Sequence, residues 1–301
     1  MKMIKSKPIR IFATALFIVF FFNASSRAEQ RGSVSEFPSG ITMGVPAGEL
    51  PPPGLYAILK ESVGDADGVN GSGAKTGAKL LLWSHTVQFA YVAPFPLLDA
   101  SYAAFVRNIG WADLYVTQPN GAKHDKLGMP DTEVAPLNLS WALPEDLHFD
   151  VEFGVFLKNG QYAHNAPVTV GQNHYTYEPN FALSWLPPDW KATAHVTFDV
   201  NERNDDTRYR NGATVDIDYT LFRTFSERWS GGVVGYYVKQ YTSDVGPAAL
   251  NAGPILELSV GLGSSYRLSP VTIYANLVRD VEASYASSRS YAAYLFAAVG
   301  F

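Results

Sequence analysis

One stretch of this chain alternates between apolar and polar residues for longer than a globular strand normally runs. From Leu147 to Lys158, the residues Leu147, Phe149, Val151, Phe153, Val155 and Leu157 fall on one side, and His148, Asp150, Glu152, Gly154, Phe156 and Lys158 on the other. Successive residues of a strand point to opposite faces, so this is period two sustained over twelve residues. It recurs with Tyr175, Tyr177, Phe181, Leu183 and Trp185, again with Trp190, Ala192, Ala194, Val196, Phe198 and Val200, and again with Ala213, Val215, Ile217, Tyr219 and Leu221. Globular strands average about five or six residues, whereas a tilted strand crossing a bilayer needs about ten. Such a chain can fold into a wall that is apolar outside and polar inside.

Continuing the count predicts twelve strands, at 54–63, 79–92, 97–109, 134–142, 147–158, 174–186, 190–201, 209–222, 230–242, 253–266, 271–281 and 289–301. The connections at 93–96, 143–146, 187–189, 223–228 and 267–270 are short. Those at 64–78, 110–133, 159–173, 202–208, 243–252 and 282–288 are longer and polar. Short turns on one side and long loops on the other are the pattern of outer-membrane barrels. The expected fold class is therefore all-β, a single-chain antiparallel transmembrane β-barrel of the outer-membrane type with about 12 strands over residues 54–301.

The N-terminus has a different composition. Lys2, Lys5, Lys7 and Arg10 precede an apolar run from Ile11 to Phe22, and small residues at Ser26 and Ala28 follow. A basic start, a short apolar core and a small-residue site are the marks of a secretory signal cleaved after Ala28, and the apolar run is too short to span a bilayer. Residues 1–28 are thus expected to be removed on export by the general secretory route to the outer membrane of a Gram-negative cell. Their loss leaves 18 basic against 28 acidic residues, a net charge of −10 in place of −5. That balance argues against nucleic acid as a partner. Residues 29–53, rich in Gly, Pro and Ser, are expected to form an irregular periplasmic or lumen-entering segment.

The chain is 14% aromatic and only 17% charged, with no Cys. Trp141, Trp185, Trp190 and Trp229 cluster near the short turns, where an interfacial girdle would sit. The polar faces put His148, Asp150, Glu152, Phe156, Glu178, His195, Asp199, Asp216, Asp218, Phe222, Tyr236 and Glu257 toward the lumen, with Tyr237 as a further apolar candidate and Lys158, Lys191 and Arg210 as counter-charges. Phe301 closes a strand whose face carries Tyr291, Ala293, Leu295, Ala297 and Val299, a pattern similar to the signal read by the barrel-assembly machinery. The expected partners are outer-membrane lipid, that machinery, and a small hydrophobic or aromatic solute.

Several motifs point to one family. Pro51-Pro52-Pro53-Gly54-Leu55-Tyr56, Leu137-Asn138-Leu139-Ser140-Trp141, Arg208-Tyr209-Arg210-Asn211-Gly212, and Gly235-Tyr236-Tyr237 leading to Gln240 and Asp244 resemble, in order and spacing, the meta-pathway phenol-degradation family of outer-membrane proteins. The resemblance implies a barrel that helps hydrophobic or aromatic compounds cross the outer membrane. Two departures stand out: Asp131 lacks the Gly expected before it, and Lys158-Asn159-Gly160 replaces a Pro-Thr-Gly loop start.

No catalytic residue, metal or cofactor is expected. The chain has no Gly-x-Ser-x-Gly elbow and no His-Glu-x-x-His pair. His195 with Asp199 could in principle serve Ser184 or Thr197 as nucleophile, which keeps a lipid or ester hydrolase as the alternative, beside a structural barrel with a closed lumen. The acidic run Asn201 to Asp206 lacks the Gly and terminal Glu of a calcium loop and is expected to be solvated, with Arg208 and Arg210 near its acids.

Overall fold

The computed structural model describes residues 36–164, 166–246 and 253–301; the basic and apolar N-terminal stretch with its expected cleavage point lies outside them. Thirteen strands form one closed antiparallel sheet: β1 (Gly54–Val69), β2 (Lys75–Val92), β3 (Ser101–Thr117), β4 (Lys123–Gly128), β5 (Glu133–Leu143), β6 (Leu147–Phe156), β7 (Thr176–Trp185), β8 (Trp190–Asn201), β9 (Thr214–Thr224), β10 (Trp229–Gln240), β11 (Leu256–Leu268), β12 (Val271–Ser284) and β13 (Ser287–Gly300). The barrel itself is 12-stranded. The lower half of β3 pairs with β5 from Ser101 to Arg107, and its upper half with β4 from Ala112 to Thr117, so β4 and β5 share one position in the wall. β1 closes the cylinder by pairing with both β2 and β13.

The register shows how steeply the strands tilt. Partners traced from Gly54 at the base of β1 run through Val92, Ala103, Asn138, Glu152, Asn180, Thr197, Asp216, Val238 and Glu257 to Ala283, near the top of β12. Such stagger is what closing a sheet into a barrel demands.

Three expected loops are largely strand. Residues 64–78, 110–133 and 282–288 contribute to β1, β2, β3, β4, β12 and β13. Their outer portions carry polar residues on both faces, as in Lys123-His124-Asp125-Lys126, so the alternation that marks a membrane-spanning segment vanishes although the backbone ladder continues.

Outward positions form an apolar band that includes Leu59, Phe89, Phe181, Leu221, Leu262 and Leu295. Trp185, Trp190 and Trp229 are exposed near the short turns, and the Trp141 indole donates to the Leu98 carbonyl across such a turn. Phe301 is exposed and donates its amide to the Leu55 carbonyl. Among the described residues no helix is long and apolar enough to cross a membrane; the crossing elements are strands.

Candidate functional site

The segment from Glu36 to Leu50 lies inside the barrel. It advances as successive turns, Ile41 N–H to Pro38 O, Met43 N–H to Gly40 O, Val45 N–H to Thr42 O and Glu49 N–H to Pro46 O. Turns of this kind leave amides without ladder partners, and buried amides need acceptors. Side chains of the wall supply them. Phe37 N donates to Asp199 Oδ2 at 3.1 Å, Gly40 N to Asp218 Oδ1 at 2.7 Å, Thr42 N and Oγ1 to Asp218 Oδ2 at 2.9 and 2.7 Å, and Gly48 N to Ser184 Oγ at 2.9 Å. Wall side chains donate in return, Ser140 Oγ to Gly48 O, Asn276 Nδ2 to Met43 O and Tyr294 OH to Ser39 O. Two glycines make this fit possible. Gly40 has φ near +87°, which favours a residue without Cβ, and a Cβ on Gly48 would stand 2.7 Å from both the His148 carbonyl and the Ser184 amide.

The apolar side chains of the segment face one half of the lumen. Phe37, Ile41 and Met43 pack with Phe222, Val234, Tyr236, Val238, Val278 and Phe296 of β9 to β13 in one buried cluster. The other half is ionic. Arg107 of β3 donates to Glu133 Oε1 at 2.5 Å and, in a two-pronged contact, to Glu152 Oε1 and Oε2 at 2.6 Å each. Asn138 and Asn180 donate to Glu152 as well, and Asn180 reaches Glu178. Oxygens of Glu133, Glu152 and Glu178 lie within 4.8 Å of one another, a spacing that could hold a metal ion. The guanidinium already occupies the cation's place on two of the three, and a planar fork suits paired carboxylates.

The structure places the predicted lumen residues as follows. Asp150, Glu152, Phe156, Glu178, His195, Asp199, Asp216, Asp218, Phe222, Tyr236 and Glu257 are buried in the interior, and His148 lies 3.9 Å from Glu49 of the inserted segment. Tyr237 is on the outer face, since its neighbour Tyr236 points in and consecutive strand residues alternate. Lys158 and Arg210 lie beyond the strands: Lys158 pairs with Asp205 at 3.3 Å, and Arg210 forms a backbone bridge with Val245. The acidic loop is met by Lys158 at Asp205, by the Tyr177 hydroxyl at Glu202, and by the Arg208 amide, which donates to the Asn204 carbonyl. His195 contacts Thr42 Oγ1 and Asn180 Oδ1, each at 3.3 Å, while Ser184 bonds Thr193.

Arg107, Lys60 and Glu133 escape a reading by alternation. Bulges at Ala103/Phe105 and Val87/Phe89, with Asn108 in the left-handed region, break the period around Arg107, and a shift at Val134/Leu137 breaks it beside Glu133. The signal that remained was charge alone: Lys60 follows the apolar run Leu55 to Leu59, and Arg107 follows the apolar run Ala103 to Val106.

Among the described residues, the wall is interrupted between β12 and β13. The β12–β13 ladder stops at Val278↔Ala292, although β12 continues to Ser284 paired with β11, and β13 begins at Ser287 paired with β1. Side chains bridge the gap. Asp280 Oδ2 accepts the Arg289 amide at 2.5 Å, Asp280 Oδ1 accepts the Tyr236 hydroxyl at 2.6 Å, and the Arg289 guanidinium donates to Tyr236 OH and, at 3.3 Å, to Glu257.

Above the membrane, the quoted motifs meet each other. Asp244 accepts from Tyr209 OH at 2.5 Å, Gly212 N at 2.7 Å and Gln240 Nε2 at 2.7 Å. Asp131 likewise accepts the amides of Gly160 and Gln172 at 2.6 Å each, so Asn159-Gly160 still docks there without a Pro-Thr start. Burial pushes both carboxyls above the ordinary range, against the pull of these donors.

An outer-membrane β-barrel is what this wall, its girdle and its register define. Residues 64–296 match the family described as "Putative MetA-pathway of phenol degradation", and the chain belongs to that family. Among solved structures it is similar to the COG4313 outer membrane channel from Pseudomonas putida F1, with a TM-score of 0.72 at 12% identity over 84% of this chain and 97% of that one. It is also similar to the beta domain of the Bordetella autotransporter BrkA, with a TM-score of 0.50 at 11% identity over 83% of this chain and 100% of that one. No curated protein matches it.

Proposed function

We propose that this barrel mediates passive uptake of small hydrophobic or aromatic compounds of the phenol type, with no cofactor and no covalent step, and that the solute leaves the lumen sideways through the wall. The observation that carries this reading is the coincidence of a filled bore with an interrupted wall. The inserted segment is tied to β5, β7, β8, β9, β12 and β13 by hydrogen bonds, so a straight aqueous path is obstructed. The β12–β13 seam opens beside the apolar cluster of Phe37, Met43, Tyr236 and Phe296. An apolar solute gains nothing from a polar pore, whereas a path along apolar side chains into the hydrocarbon keeps it out of water. Membership of a family described by phenol degradation, and the similarity to an outer membrane channel of Pseudomonas putida F1, support the same reading.

The filled bore equally favours a second reading, a structural barrel that passes nothing. The chain has no Cys, so a disulfide can be introduced cleanly. With Arg279→Cys and Ser290→Cys across the seam, uptake of labelled phenol by liposomes should fall when the disulfide forms and return on reduction. Uptake no faster than into protein-free liposomes would support the structural barrel; uptake unaffected by the lock would remove the lateral route.

A further inference from the structure

The bilayer-facing side of β1 and β2 carries a carboxyl group and an imidazole in contact. Glu61 and His85 are direct partners in the ladder and share an outward face with Leu59, Val63, Trp83 and Val87. His85 is seven residues above Val92 at the base of β2. At about 3.3 Å per residue and a tilt near 40°, it sits about 18 Å up, inside an apolar band roughly 25 Å tall. A polar group at this depth finds no partner in lipid chains. Two indoles reduce the exposure. Trp83 and Trp111 lie 5.2 and 5.6 Å from the imidazole, and the His85 and Glu61 side chains remain 26% and 29% exposed.

His85 Nδ1 meets Glu61 Oε2. Among the described residues no other group of the protein hydrogen-bonds the pair, so Nε2 of the imidazole and Oε1 of the carboxylate have no protein partner. Beside them runs a groove of about 440 Å³. Its geometry follows from the register: one row crosses the wall as Trp83, Val63, Ala293, Leu277 and Leu262, the next as His85, Glu61, Leu295, Ala275 and Ser264. Ala293 and Ala275 form a shallow floor between Leu277 and Leu295. At its far end the groove shares Leu262 and Leu277 with a second depression lined by Val278, Arg279 and Tyr291, at the β12–β13 seam.

We infer that this groove is a binding site on the outer wall for an aromatic alcohol dissolved in the bilayer. The ring lies on the alanine floor beside the Trp83 indole, and the hydroxyl meets the Glu61 carboxylate that lines the groove, which His85 holds from outside it. The hydroxyl can donate to the free carboxylate oxygen, and a flat ring matches the indole. The groove receives the solute at the seam and rests, for its purpose, on the uptake reading.

The test uses the full-length protein in phosphatidylcholine liposomes, with 2-naphthol and naphthalene as probes and protein-free liposomes as background. Fluorescence anisotropy should show saturable, protein-dependent binding of 2-naphthol. Binding should weaken about tenfold in a Glu61→Leu, His85→Phe double variant, the loss expected for a hydrogen bond to a charged group. Naphthalene should bind weakly and equally to both proteins. Equal affinity of the wild type for the two probes would show a groove that takes only lipid-like chains and would overturn the proposal, with no need of the variant. Undiminished naphthol binding by a folded double variant, or a dimer by light scattering that the variant dissolves, would overturn it too. Loss of uptake with binding intact would sink the uptake reading alone, and intact uptake without binding would sink this site alone.

Discussion

The wall over β5 to β8 and the wall at β12 and β13 solve the same problem in opposite ways. Over β6 and β7 the ladder runs unbroken from Leu147↔Trp185 to Phe156↔Thr176, and the lumen side carries an ionic lattice centred on Arg107. At β12 and β13 the ladder stops at Val278↔Ala292, and Asp280, Arg289 and Tyr236 hold the strands by side chains. Backbone pairing is cooperative along a strand, whereas a side-chain bridge can be broken locally. The charges brace the first region and latch the second.

That contrast can be broken from either side. The largest effect belongs to Arg107→Met, which leaves Glu133 and Glu152 buried without their cation; removing one partner of such a group costs about 3–5 kcal/mol. The whole barrel should lose stability, read as a lower denaturant midpoint in detergent. Next comes Asp218→Ala, which strands two amides and a hydroxyl of the inserted segment. At about 1–3 kcal/mol for a buried group left unpaired, the segment should undock. Planar-bilayer recordings should then show a larger conductance with little change in the barrel's unfolding midpoint; an unchanged conductance would mean that other contacts hold the bore shut.

Asp280→Ala sharpens the comparison more locally. The Arg289 amide loses its acceptor, at a cost of about 1–3 kcal/mol, and exchange at 287–291 should accelerate while β6 and β7 amides stay protected. Equal acceleration in both regions would deny that the seam is a separate unit. The smallest effect concerns the loops. The Asp244 carboxyl is raised by burial, so the folded loop binds a proton more tightly than the unfolded chain does. This contribution is fully present below the ordinary carboxyl pKa, about 3.9, and is lost as pH climbs through the raised value. Protection of the Gly212 amide, corrected for intrinsic exchange, should therefore decline over that range.

Alternation made the barrel and its 12 strands legible, because burial on one face and lipid on the other impose period two wherever the wall crosses the membrane. It missed the upper parts of β1, β2 and β3 and all of β4, where water bathes both faces and backbone bonds alone maintain the strand. The polar face of Asp150 and Glu152 was visible in sequence. Arg107, their counter-charge from two strands away, was hidden behind bulges that reset the alternation. The Tyr209, Gln240 and Asp244 motifs were visible as words, but their convergence on a single carboxylate was not.

By itself, then, the sequence determined a wall with an apolar outside and a polar inside, since that property repeats residue by residue along each strand. Only the tertiary structure decided what fills the bore and where the wall is interrupted. The acceptors for Gly40 and Thr42 come from a residue about 175 positions away, and the seam depends on where two ladders end rather than on any local pattern. The outer pair of Glu61 and His85 belongs to the same class. Each is an ordinary polar residue in sequence, and only the register sets them side by side in lipid.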